Sequence, residues 1–169
     1  MQRHIVLTGF MGSGKSTVGR LVAQKLGCRF VDIDDVIEKH AGMTIMEIFN
    51  KHGEIYFRDL ESAAVRQVLD SSPSVIATGG GTLMRNSNLT ELKKRGVLFY
   101  LSAQPSVLHE RVGLSNNRPL VKEHPGLDEF SELLASRVPF YRKSDHIIEV
   151  DHVSPIEVAD CIIDMLELA

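Results

Sequence analysis

The sequence predicts an α/β fold, a three-layer sandwich in which helices cover both faces of a five-stranded parallel sheet. Three observations predict it. Five short apolar runs recur along the chain, segments with helical periodicity separate them, and the first run breaks into glycines where a helix begins. Strand alternating with helix is the pattern of parallel sheets joined by right-handed crossovers.

The strand candidates are HIVLT (4–8), RFVDI (29–33), SVIAT (74–78), VLFYL (97–101) and HIIEV (146–150). Four of the five hold almost continuous apolar runs, as strands covered on both faces require. The first helical segment is STVGRLVAQKL, followed after the second strand by the long TIMEIFNKHGEIYFRDLESAAVRQVL. NLTELKKRG, SVLHERVG, LDEFSELLASRV and a closing SPIEVADCIIDMLEL complete the set. Pro139, just after LDEFSELLASRV, is expected to end or kink that helix. Two stretches interrupt the alternation, TGGGTLM (78–84) and the polar GLSNNRPLVKEHPG (113–126). A loop as long as the second is most often functional or disordered. Ligands in such folds bind beyond the carboxyl ends of the strands, where both glycine clusters fall.

The 169 residues fit one domain, 1–169, with neither repeats nor low-complexity segments. A hydrophobic content of 43% with 24% charged residues is ordinary for a soluble globular chain. The net charge of −3 lacks the basic footprint of a nucleic-acid binder. Cys28 and Cys161 lie far apart without CxxC spacing, which reads as two free thiols in a reducing compartment. No stretch approaches the ~20 apolar residues that cross a bilayer, and the opening run is too short for a signal peptide. A cytoplasmic protein without a membrane partner is expected. The seven histidines lack metal-ligand spacing, which argues against a zinc site built by the protein.

Gly9-Phe-Met-Gly-Ser-Gly14-Lys15-Ser16 fills every fixed position of G-x-x-x-x-G-K-[ST], and residues 9–17 lie between a strand and a helix. Gly9, Gly12 and Gly14 let the backbone turn its N–H groups onto phosphate oxygens. Gly12, Ser13, Gly14, Lys15, Ser16 and Thr17 are therefore the predicted ATP-binding residues. Lys15 reaches the β and γ phosphates, and the Ser16 hydroxyl suits Mg²⁺. The chain has no DxxG element, and its only Asn-Lys continues as NKHG, which disfavours a GTP switch. The length suits a small-molecule or nucleotide kinase.

Asp32 and Asp34 are two apart at the end of the second strand, so on extended backbone they share a face. Asp32 near a metal and Asp34 as proton acceptor is one reading; a helix cap at Asp34 or Asp35 is the other. Arg58 follows Glu54 by four residues and precedes Glu61 by three. That spacing fits a solvated ion-pair ladder, or an arginine held in one rotamer to grip an anion. Gly79, Gly80 and Gly81 offer close approach to backbone N–H groups, and Thr78 a hydroxyl for a metal-bound water. Arg118 lies in the long loop, where lid closure could bring it onto the phosphates, and Arg137 precedes Pro139; on local sequence either alone is more often a surface residue.

Together these stretches resemble the shikimate kinases. The resemblance rests on GFMGSGKSTVGR, FVDIDDVIE, EIFNKHGEIYFRDLE, VIATGGGTL, RPL and RVPFY, in that order across about residues 5–150. It implies the fold of nucleoside monophosphate kinases, strand order 2-3-1-4-5, and a monomer. It implies transfer of the γ-phosphoryl of ATP to the 3-hydroxyl of shikimate, giving shikimate 3-phosphate on the route to chorismate. The resemblance assigns Asp34 to the ring hydroxyls and to the base, within a substrate-binding region of about 32–62. Arg58 and Arg137 are assigned to the carboxylate, and Gly79, Gly80 and Gly81 to the wall beside the ring. Ser16 and Asp32 fall on the magnesium side, Asp32 through water. Lys15 and Arg118 face the phosphates, Arg118 from a lid over 113–126. Arg111 and the turn from Val153 to Pro155 match the adenine side in position. Val121 after RPL and Ser144 depart from the commoner Leu and Ala, away from substrate-facing positions. A gluconate-type sugar-acid kinase, a nucleoside monophosphate kinase and a silent ATP-binding relative are the alternatives, and a panel of acceptors separates them.

Overall fold

In the computed structural model, residues 2–113 and 126–167 are described. The strands are β1 (His4–Thr8), β2 (Phe30–Asp32), β3 (Val75–Ala77), β4 (Gly96–Ser102) and β5 (His146–Glu149). They form one parallel sheet in the order β2-β3-β1-β4-β5. The helices are α1 (Lys15–Leu26), α2 (Ile33–Ala41), α3 (Ile45–Leu69), α4 (Asn86–Arg95), α5 (Pro105–Gly113), α6 (Leu127–Tyr141) and α7 (Pro155–Glu167).

Strand β1 explains why the sheet has two cores. All five of its residues are buried, and successive side chains point to opposite faces. Ile5 and Leu7 pack with Val18 and Val22 of α1 and Val158 and Ile162 of α7. Val6 packs on the other face with residues of α2 to α6, among them Ile37, Ile48, Leu92, Leu108 and Phe130. The second face carries the larger buried cluster.

Three local features differ from the expectation. Strand β2 stops at Asp32, whose carboxylate caps α2 by accepting the Asp34 N–H at 3.1 Å. Asp34 therefore stands in the first turn of a helix rather than on extended backbone. The long helical segment is divided: Thr44 and Glu47 start α3 with a capping box, and Gly53, at φ 79° and ψ 177°, breaks the helical path. Pro139 does not end α6, which runs on to Tyr141. It falls in the last turn, and the chain beyond it still closes a helical bond from Arg142 N–H to the Val138 carbonyl at 2.9 Å.

Candidate active site

The loop after β1 is held where side chains cannot fit. Gly9 has φ 143°, and a Cβ there would sit 2.6 Å from the Leu101 carbonyl oxygen. Gly14 adopts the left-handed conformation at φ 89° as the N-cap of α1. The amides that follow open onto a cavity of about 540 Å³ lined by Gly12, Ser13, Gly14, Lys15, Ser16 and Thr17. Arg111, Val153 and Pro155 line the same cavity, so the two distant segments join the loop in one site. Arg111 donates to the Val150 and Asp151 carbonyls at 3.0 and 3.3 Å, which ties α5 to the chain leaving β5. Lys15 is buried, and its Nζ donates to the Phe10 carbonyl at 3.0 Å. A helix N-terminus, a ring of amides and a buried ammonium make an anion site.

The Ser16 hydroxyl donates to Asp32 Oδ2 at 2.6 Å. Both groups are hard oxygen donors, the kind that Mg²⁺ takes alongside water and substrate phosphates. Among the described residues no cluster of three or more His, Cys, Asp or Glu could hold a metal by itself. A lone hydroxyl–carboxylate pair beside a phosphate loop fits an ion brought in by its nucleotide.

Beyond Asp32 lies a second cavity, of about 550 Å³, lined by Asp34, Arg58, Gly79, Gly80, Gly81 and Arg137 among others. Met11 lines it and Gly12 lines the first, so one loop borders both cavities. Arg58 Nη1 pairs with Glu61 Oε2 at 2.9 Å, and Nη2 with Glu54 Oε1 at 3.2 Å. Glu61 is fully buried and also accepts from Thr82 Oγ1 at 2.6 Å. The Arg58–Glu61 half of the ladder is therefore not solvated, while Glu54 stays exposed. Burial fixes the guanidinium, since a buried charge held by two partners has no solvated alternative.

Arg137 is buried too, with its guanidinium 5.3 Å from the Phe10 ring centre. Its Nε has no hydrogen-bond partner among the described residues. A buried cationic donor without a partner calls for an anion. The three glycines now have their reason. A Cβ on Gly79 would lie 2.7 Å from Glu61 Oε1 and 3.0 Å from Asp34 Oδ1. On Gly80 it would meet Arg137 Nη1 at 3.2 Å, and on Gly81 it would overlap the Arg58 guanidinium. A side chain at Gly79 or Gly81 would have to displace Glu61 or Arg58, and one at Gly80 would crowd Arg137.

Asp35 joins Asp34 in lining this cavity, and burial, with the nearby Asp32 charge, raises its carboxyl above the ordinary range. Thr78 is engaged elsewhere: its hydroxyl donates to the Leu7 carbonyl at 3.2 Å, stitching β3 to β1. Arg118, with the rest of residues 114–125, lies outside the described residues. The sequence reading missed Thr82 and Tyr141. It took Glu61 only as a neighbour of Arg58, although the i,i+3 spacing marked it. Tyr141 stands one helical turn after Arg137, a signal hidden by the expectation at Pro139.

A family profile described as shikimate kinase matches residues 11–167. The curated shikimate kinase of Thermodesulfovibrio yellowstonii is 47% identical over 165 residues, covering 98% of this chain and 95% of that one. The solved shikimate kinase from Acinetobacter baumannii in complex with shikimate has a TM-score of 0.93 at 35% identity, covering 98% of this chain and 93% of that one. A gluconokinase from Sinorhizobium meliloti shares the fold alone, with a TM-score of 0.60 at 18% identity over 98% of this chain and 93% of that one.

Proposed function

The chain belongs to the shikimate kinase family, and on that premise we propose how its residues divide the reaction. The enzyme transfers the γ-phosphoryl of ATP to the 3-hydroxyl of shikimate, giving shikimate 3-phosphate and ADP on the way to chorismate and the aromatic amino acids. The observation that carries the assignment of roles is that one loop borders two cavities, a glycine- and lysine-lined anion site and a pocket with two buried guanidinium groups.

Phosphoryl transfer asks of a protein mainly position and charge compensation. Amides from Gly12 to Thr17 hold the phosphates, and Lys15 meets the charge that develops on the transferring group. Arg111, Val153 and Pro155 flank the adenine. Arg58 and Arg137 take the shikimate carboxylate, with the Arg137 Nε supplying a donor that the protein leaves unpaired. Asp34 binds the ring hydroxyls and takes the proton of the 3-hydroxyl as it attacks. The glycine wall presses the ring toward the phosphates and keeps water out of its place. Arg118 adds a second cation from the loop over 113–126. Ser16 and Asp32 are the residues that would hold Mg²⁺, Asp32 through water. That ion supplies charge neutralisation between the phosphates when bound.

We read residues 1–169 as one kinase domain acting as a monomer in the cytoplasm. Among the described residues no helix is long and apolar enough to cross a membrane. The test is ADP release from MgATP with shikimate, gluconate or AMP as acceptor. Stimulation by shikimate alone supports the roles given to Arg58 and Arg137. Stimulation by gluconate or AMP, or by none of the three, rejects the acceptor assignment.

A further inference from the structure

The two arginines of the acceptor cavity are held in opposite ways. Arg58 lies between the carboxylates of Glu54 and Glu61, so its charge is already offset within the protein. Arg137 forms no ion pair among the described residues. A phenol stands beside it. Tyr141 stands four residues later on α6, one turn along the same face, and is 1% exposed. Both side chains face the Gly80 peptide, and the Arg137 charge lies near enough to act on the Tyr141 oxygen.

That oxygen has a second partner. The Tyr141 hydroxyl donates to the carbonyl of Gly80, in the middle of the glycine wall. A Cβ on Gly80 would lie 3.2 Å from Arg137 Nη1 and 3.6 Å from Tyr141 Oη, so both groups crowd the same peptide. The ring itself is fixed by Tyr100, with centroids 5.1 Å apart. Burial holds the phenol well above its ordinary range, so it remains a neutral hydroxyl. A neutral acceptor orients a guanidinium without cancelling its charge, whereas a carboxylate in the same place would cancel it.

We propose that Tyr141 is a positioning residue for carboxylate recognition, its phenol anchored on Gly80 and holding the Arg137 guanidinium toward the acceptor cavity with its charge uncompensated. This rests on the reading of Arg137 as a carboxylate ligand. Tyr141 is not among the residues lining the acceptor cavity, and it acts through Arg137 and the Gly80 carbonyl.

The test compares shikimate with its primary amide, a neutral isostere, as acceptors for the full chain with MgATP. Three proteins are measured beside the wild type: Tyr141→Phe, Arg137→Met and the double variant. Phenylalanine keeps the ring that packs on Tyr100 and removes only the hydroxyl. Tyr141→Phe is expected to raise the KM for shikimate about tenfold, the size of one lost hydrogen bond to a charged group, with kcat and the KM for ATP within about twofold. Its preference for the acid over the amide should fall by the same factor. Arg137→Met should abolish the preference, and adding Tyr141→Phe to it should change nothing further. Should Arg137→Met lose the preference while Tyr141→Phe keeps it, the role of Tyr141 is refuted and the carboxylate reading stands. Should Arg137→Met keep the preference, the carboxylate reading fails first. Equal losses toward acid and amide in Tyr141→Phe, with a lowered melting temperature, would assign the hydroxyl to packing and overturn the proposal.

Discussion

Replacing Glu61 by Gln separates charge from shape in the pair that fixes Arg58. The two carboxylates beside this arginine differ in burial: the Glu61 side chain is 0% exposed and the Glu54 side chain 61%. Glutamine keeps one carbonyl oxygen for Arg58 Nη1, and its amide can donate to Thr82 Oγ1 if that hydroxyl turns to accept. Both contacts of Glu61, at 2.9 and 2.6 Å, therefore survive in form, and what disappears is the negative charge. Removing one partner of a buried pair costs about 3–5 kcal/mol, and the surviving hydrogen bonds reduce that here to about 2–3 kcal/mol. Glu54→Gln removes the same charge from the same arginine at the surface, where the expected cost is about 0.2–1 kcal/mol. The assay is urea unfolding at equilibrium, with the slope checked for constancy, on the wild type and both variants. A Glu61→Gln cost no larger than that of Glu54→Gln would refute the claim that burial, rather than proximity, fixes Arg58.

Asp34→Asn should lower turnover with shikimate by about 10² or more while leaving ATP binding intact, because it removes the proposed proton acceptor and keeps the volume. Near-normal kcat would exclude Asp34 as base. His4 gives a pH prediction. It is buried, its Nδ1 accepts the Ser74 N–H at 3.2 Å, its Nε2 faces the Leu69 carbonyl at 3.3 Å, and burial lowers its pKa below the ordinary 6.5. As pH falls below that value the unfolded imidazole takes a proton and the folded one does not, so stability declines downward until the folded group titrates. Urea midpoints at pH about 7.5 and about 5.5 should differ by less in His4→Gln than in the wild type. An unchanged difference would count against His4.

Much of this arrangement was legible because its signals are local. The phosphate loop shows itself by spacing, and the strands by apolar runs that end within one or two residues of the observed bounds. Glu54, Arg58 and Glu61 share a helical face by arithmetic alone. What escaped was decided by competition between local choices. At Asp32 a helix cap won over strand continuation, which moved Asp34 onto α2 without removing it from the cavity. At Pro139 the missing N–H fell in the last turn, where packing of Phe130, Leu134 and Tyr141 into the core holds the helix together. Thr78 found a carbonyl of the neighbouring strand, a partner that only the sheet order supplies.

The glycine wall has one more consequence. Gly79, Gly80 and Gly81 present main chain alone to the second cavity, beside the charged side chains that also line it. A ligand lying along this surface stills no rotamers, whereas each rotamer-rich side chain ordered on binding costs about 0.5–1.5 kcal/mol. The same surface has no flexible atoms with which to follow a ring of different outline. Contact there is low in entropy cost for the ring that fits and cannot adapt to one that does not.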